Sequence, residues 1–263
     1  MIPQSYITEW RQQVPWQSNE QVEQDLVICR ALVEIFSDRW LADRLAFRGG
    51  TALHKLYLQP QPRYSEDIDL VQITAEPFGP IVDRIRERLE FLGEPKRMPK
   101  AYNFTLNYRF ESEFPPIVNL RLKVETNTRE HFTVLGLTNF PFEVQSSWFA
   151  ESCNLTTYRL EELLGTKLRA LYQRRKGRDL YDMYIALTQK HDLDIDALLE
   201  SYREYMKFSV EKPPTSKEYI LNMEGKMLDS EFLGDTTALL RPNVPYDPQQ
   251  AYELVKAALI ERI

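Results

Sequence analysis

Cysteine and histidine are scarce in this sequence, at two and three residues, and glycine is thin at nine of 263. Cys29 and Cys153 cannot build a disulfide framework, and with His54, His131 and His191 scattered along the chain they supply no zinc cluster. A reducing cytoplasm is the expected compartment. No run of about 18 apolar residues occurs, which excludes a membrane-spanning helix. The first residues have no basic-then-apolar pattern, so no export is expected. A basic excess is missing too: 33 lysines and arginines face 39 acidic residues, for a net charge of −6. That balance argues against a protein that coats nucleic acid by neutralising its phosphates, while leaving room for a local basic groove. What is present, 43% hydrophobic and 27% charged residues, is ordinary for a globular protein.

Apolar spacing organises the chain. Val22, Leu26, Leu32, Val33 and Phe36 recur at helical intervals over residues 20–37, and Ile81, Ile85, Leu89 and Leu92 do so over 80–92. A short helix is expected over 51–58, and Ile68, Leu70 and Ile73 mark a strand. Residues 102–110 and 117–126 alternate polar and apolar, the latter with Val118, Leu120, Leu122 and Val124 on one face. A further strand is expected over 142–148. From about residue 160 the pattern turns helical. Thr215 to Glu218 fits a capping box, and Asp247-Pro248 a capped helix start. Residues 211–214 and 241–246 read as connections. There is no internal repeat. The expected plan is a mixed α/β part over 1–155 and a helical lobe over 156–263.

Asp67 and Asp69 stand two apart on the expected strand, so both carboxylates share one face while Ile68 and Leu70 point into the core. Two carboxylates about 6–7 Å apart can share magnesium, a hard ion that keeps waters and substrate phosphates in its other positions. Phosphoryl transfer with two metal ions uses such a pair. An Asp-x-Asp on a solvated strand face looks the same. Upstream, Gly49-Gly50-Thr51 opens a helix where glycine permits close backbone approach and unpaired N–H groups can face a phosphate. Either feature alone is weak; together they point to nucleotide chemistry.

Arg48-Gly49-Gly50-Thr51-Ala52-Leu53, then Arg63-Tyr64-Ser65-Glu66-Asp67-Ile68-Asp69-Leu70, resembles the AbiEii/AbiGii nucleotidyltransferase toxins of bacteria, to which the MenT toxins are related. The likeness continues through residues 167–174 and 178–182 and covers roughly 45–187. It implies an α+β fold, with a polymerase-β-like nucleotidyltransferase core and a helical C-terminal lobe. It assigns the metal pair to Asp67 and Asp69, and nucleotide binding to Gly49, Gly50, Thr51 and Ser65. The wider superfamily usually carries serine after the glycine, so Thr51 departs from the pattern but keeps the hydroxyl. Partners implied are an NTP, a tRNA and an antitoxin encoded beside the toxin; the implied cofactor is Mg²⁺ or Mn²⁺.

Polymerase-β-like sites often take a third carboxylate from a neighbouring strand, and Glu125, sharing its face with Lys123, is the candidate metal ligand. It also fits an exposed strand position. Residues 167–178 hold six basic residues and no acid. There Lys167 and Arg174 share a helical face and suit a triphosphate; a solvated helix face is the alternative. Asp179 matches a functional family position and is expected to fix Lys167 or Arg174; Asp182 is expected to pair with Arg178 or Arg174. The catalytic set is therefore Asp67, Asp69, Lys167 and Asp179, with Arg174 on the nucleotide. The expected reaction is transfer of NMP from an NTP to the 3′ end of tRNA, reached through the basic segment, blocking translation. The rivals are nucleotidylation of a protein or small molecule, a non-catalytic nucleotide- or RNA-binding module, and a metal nuclease using Asp67, Glu125 and Lys123.

Overall fold

Alternation of apolar and polar residues does become a sheet, and a larger one than expected. The computed structural model describes residues 2–241 and 244–263. They divide into two compact units. The first comprises Met1–Leu56, Tyr64–Phe132 and Leu137–Tyr158; the second comprises Tyr57–Arg63, Thr133–Gly136 and Arg159–Ile263.

The first unit holds helices α1 (Gln4–Trp10), α2 (Asn19–Ser37), α3 (Arg39–Ala42), α4 (Gly49–Ala52) and α5 (Gly79–Arg88). Its strands are β1 (Leu45–Arg48), β2 (Asp67–Gln72), β3 (Lys96–Pro99), β4 (Asn103–Glu111), β5 (Asn119–Asn127), β6 (Leu137–Gln145) and β7 (Ala150–Tyr158). They form one mixed sheet in the order β3-β4-β5-β2-β1-β7-β6. β1 and β2 are antiparallel, while β2 runs parallel to β5 and β1 parallel to β7. The single strand expected over 142–148 is instead a hairpin of two nine-residue strands, β6 and β7. On β7 the less exposed alternating positions are Cys153, Leu155 and Thr157, so hydropathy alone does not outline that strand. The edge strand β3 is exposed at all four positions, which removes the apolar signal altogether.

Helix α2 packs against β2, β5, β6 and β7. Ser18 caps it by accepting from Gln21 N–H, and it buries Val22, Leu26, Leu32, Val33 and Phe36 as their spacing predicts. Each fully buried aliphatic of this kind contributes about 1.5–3 kcal/mol. The same helix also buries Asp25, whose carboxylate accepts from Trp10, Trp16 and Lys55 at 3.0, 3.2 and 2.8 Å. The helix expected over 51–58 starts two residues earlier, at Gly49, and passes into a π-helical turn at Leu53–Tyr57.

The second unit is helical: α6 (Leu160–Gln173), α7 (Gly177–Gln189), α8 (Ile195–Ser209), α9 (Ser216–Met227), α10 (Ser230–Gly234) and α11 (Pro248–Ala258). The capping box of Thr215 and Glu218 forms, and Asp247 accepts from Gln249 N–H and Gln250 N–H ahead of Pro248. Helices α6 and α8 approach closely at Gly165, where a Cβ would lie 2.7 Å from that of Ser201. Buried Glu162 of α6 accepts from Thr133 Oγ1 and from Val134 N–H and Leu135 N–H, which ties the 133–136 segment to this unit. The connection expected over 211–214 lies between α8 and α9; of that over 241–246, residues 242 and 243 lie outside the described residues. Among the described residues no helix is long and apolar enough to cross a membrane.

Candidate active site

Strand β2 sets the spacing of the acid pair. Ile68 and Leu70 are buried, and Asp67 and Asp69 project from the opposite face. Register then decides their neighbours. Asp69 lies opposite Arg48 of β1 and Glu125 of β5, and Asp67 opposite Lys123 of β5. Lys123 Nζ stands 3.4 Å from Asp67 Oδ2 and 3.0 Å from Glu125 Oε2, so one ammonium bridges two carboxylates. Glu125 also faces the donors Asn103 Nδ2 at 3.3 Å and Thr105 Oγ1 at 3.4 Å. Burial and the neighbouring Asp67 raise the Asp69 pKa, against the opposing pull of Lys123 and Arg48. Burial works against the Lys123 ammonium, but Asp67, Glu125 and Asp69 outweigh it and raise its pKa.

Upstream residues hold this pair in place. Gly49 has φ +81°, and a Cβ there would lie 2.1 Å from Asp69 Oδ2. Glycine is required twice at this position, by backbone conformation and by close approach. Thr51 is buried in α4; its hydroxyl donates to the Asp67 carbonyl and lies 2.9 Å from Ser65 Oγ. Both hydroxyls therefore pin the start of β2. Gly50 is buried beside them in the first turn of α4.

The donor set suits a divalent cation in a limited way. Asp67 Oδ1 is buried without a hydrogen-bond partner, a costly state for a carboxylate oxygen that a bound cation would relieve. Yet among the described residues no three His, Cys, Asp or Glu side chains are arranged to hold a metal by themselves. Asp67 and Asp69 fit an ion that takes its other ligands from water and phosphate, as magnesium does. Glu125 is held instead by Lys123, Asn103 and Thr105.

The second unit brings the other expected residues together. Lys167 Nζ lies 3.1 Å from Asp179 Oδ1 and 2.8 Å from Asp182 Oδ2. Arg174 donates from Nε and Nη2 to Asp179 at 2.6 and 2.7 Å. Burial alone would raise the Asp179 pKa, but Lys167 and Arg174 outweigh it and lower it. Asp182 pairs with Lys167 and with Arg63. The Arg63 contact is bidentate, at 2.7 and 2.8 Å. Arg63 is 119 residues from Asp182 in sequence, and no local pattern links the two. Arg174 is half-exposed, while Lys167, Arg63 and both carboxylates are buried.

The rest of the basic segment is not the open cationic surface its sequence suggests. Arg175 pairs with Asp229 at 2.9 Å, and Lys176 and Arg178 with Asp235 at 3.4 and 3.9 Å. Arg169 donates to Ser209 Oγ and lies over the Tyr205 ring. Acids distant in sequence thus neutralise a run that contains none.

Comparisons with known proteins bear on the family and the fold. The profile of the family described as "Nucleotidyl transferase AbiEii toxin, Type IV TA system" matches residues 30–258. The fold is similar to that of MenT4, a nucleotidyltransferase toxin of Mycobacterium tuberculosis H37Rv: TM-score 0.62, 14% identity, covering 100% of this chain and 91% of that one. It is also similar to an H. pylori protein assigned as a nucleotidyltransferase, with TM-score 0.53 and 18% identity over 94% of this chain and 96% of the other. The comparison with curated proteins gives no match.

Proposed function

This chain belongs to the AbiEii nucleotidyltransferase toxin family of type IV toxin–antitoxin systems, and from that premise we propose that it transfers NMP from an NTP to the 3′ end of tRNA, with magnesium, and so blocks translation. Family membership makes it an NTP-dependent enzyme with an antitoxin partner. The cytoplasm is where NTPs, tRNA and that partner meet.

The observation that carries the reading is the pair Asp67 and Asp69 in phase on β2, with Asp67 Oδ1 buried and unpartnered and the Gly49 backbone packed on Asp69. Bound at Asp67 and Asp69, magnesium would neutralise charge on the triphosphate. The chain's own groups do the rest. The small Gly49-Gly50 backbone lets a triphosphate approach, while Thr51 and Ser65 hold the start of β2 so that the carboxylates stay aligned. The acceptor hydroxyl attacks the α-phosphorus and gives up its proton to water; a P–O bond forms to the acceptor, and the bond to the leaving pyrophosphate breaks. In the helical unit Asp179 orients Lys167 and Arg174, the cations that the family likeness assigns to the nucleotide. Glu125 keeps Lys123 in place beside Asp67.

The test is incubation of the pure protein with Mg²⁺, tRNA and α-labelled NTPs. Label on tRNA that disappears in Asp67→Asn is the expected result. Label on a protein fraction alone, or equal labelling by Asp67→Asn, overturns the acceptor or the site respectively.

A further inference from the structure

The carboxylate pair lies on a polar sheet face that continues outward from β2 across β5, β4 and β3. Residues paired across neighbouring strands share a face, and hydrogen bonds confirm it here: Asn103 and Thr105 of β4 face Glu125 of β5. Two residues along β5 from Lys123, Arg121 stands directly opposite Arg109 of β4 on that face. Both arginines are exposed.

Their pairing is unfavourable within the protein. Like charges directly opposite on antiparallel strands repel. Arg121 has only a loose contact with Glu66, at 3.9 Å between half-exposed side chains. Arg109 has no ion pair among the described residues, nor has Lys96 at the β3 edge, which faces Asn107 of β4. Among residues 167–178, by comparison, Arg175 and Lys176 each have an acid within 3.4 Å. Glu111, one pleat along β4 from Arg109 and also exposed, shares this face without pairing with either arginine, so their charge stays available to an anionic partner.

We propose that this face, centred on Arg109 and Arg121, binds the backbone of a single-stranded RNA whose 3′ hydroxyl enters the Asp67–Asp69 site; this rests on the nucleotidyl-transfer reading above. Opposed residues stand about 5 Å apart across the strands, and each guanidinium fork matches one phosphate. One pleat repeat, about 6–7 Å, separates Arg121 from the position facing Asp67. The arginines therefore stand within a nucleotide or two of the carboxylates. Asn107, partly exposed on the same face, supplies a neutral hydrogen-bonding group for ribose or a base edge. Two phosphate contacts and no exposed aromatic ring on these paired positions give a grip on backbone rather than on base sequence.

The test is fluorescence anisotropy of a labelled single-stranded RNA with a free 3′ hydroxyl, binding to the full chain over a salt series. In R109A/R121A the affinity should fall about tenfold or more at low salt, and the slope of log K against log salt should shrink by about 1.4, or 0.7 per lost phosphate contact. R109K/R121K should keep the salt slope, because both charges remain, while losing part of the affinity with the bidentate fork. Removing a repelling pair should not lower thermal stability, so a lost interaction will not be mistaken for lost folding. Unchanged affinity and slope in R109A/R121A would overturn the proposal, as would binding of polyglutamate in preference to RNA, which would indicate an acidic protein partner. D67N separates the two readings, since it should bind RNA normally while transferring nothing. Arginine-dependent RNA binding by a parent protein that labels no RNA would sink RNA nucleotidylation and leave this surface standing. Label transfer with an unchanged KM for RNA in R109A/R121A would sink the surface alone.

Discussion

Gly49 and Asp69 are packed so closely that a methyl group on Gly49 would lie 2.1 Å from Asp69 Oδ2. Gly49→Ala must then either move the carboxylate or distort the turn, and alanine at positive φ adds about 1–2 kcal/mol of strain. The expected outcome is a folded protein, by circular dichroism, with nucleotidyl transfer reduced about 100-fold or more, as for other misplaced reacting groups. Transfer within a few-fold of the parent would mean that Asp69 need not hold its present position.

Glu125 is held by Lys123, Asn103 and Thr105, whereas Asp67 keeps an oxygen without a partner. The two carboxylates should therefore fail differently. Asp67→Asn and Asp69→Asn are expected to bring labelling to background. Glu125→Gln should cost about 10–100-fold, the range for residues that orient ligands. A Glu125→Gln variant as inactive as Asp69→Asn would make Glu125 a ligand in its own right.

Arg63 and Asp182 form a buried, bidentate pair in the second unit. Breaking such a pair leaves an unpaired buried charge, at a cost of about 3–5 kcal/mol. Lys167 also contacts Asp182, so Arg63→Met should fall at the lower end of that range. Urea denaturation would show the loss as a lower midpoint with little change in slope. The Arg63→Met/Asp182→Leu double variant should recover part of it, because neither charge then remains.

Glu23 of α2 is fully buried, and burial raises its pKa to about 7. Its folded form therefore holds a proton that the unfolded chain, near 4.5, has released. Between these values the native state binds more protons, so stability should fall as pH rises, by at most about 1.4 kcal/mol per pH unit from this group. Below pH 4.5 the favourable contribution is complete; above 7 it is gone. Denaturation at pH 5 and pH 8 should show this loss in the parent and a smaller one in Glu23→Gln. An identical pH slope in the two proteins would mean that another group controls it.

Local signals were legible where one residue's chemistry sufficed. The helix at α2, the strand carrying Asp67 and Asp69, the caps at Thr215 and Asp247, and the glycine turn at Gly49 all follow from spacing or backbone constraint. Strand β7 and edge strand β3 were not legible, because their faces are polar or exposed and carry little apolar period, whereas Phe142 and Val144 of β6 fell within the one strand expected there.

The Phe47-Arg48-Gly49-Gly50-Thr51 turn and the Asp67–Asp69 pair were thus determined by the sequence itself, since phase on a strand and freedom at φ are properties of a few adjacent residues. Tertiary structure alone decided which charges remain available. Charge pairing depends on distance in space, and Arg63 meets Asp182 across 119 positions of chain. The same physics neutralises much of the basic run at 167–178 through Asp179, Asp182, Asp229 and Asp235. It leaves Arg109 and Arg121, inconspicuous in the sequence, opposed on one sheet face, Arg109 with no ion pair among the described residues and Arg121 with Glu66 alone at 3.9 Å.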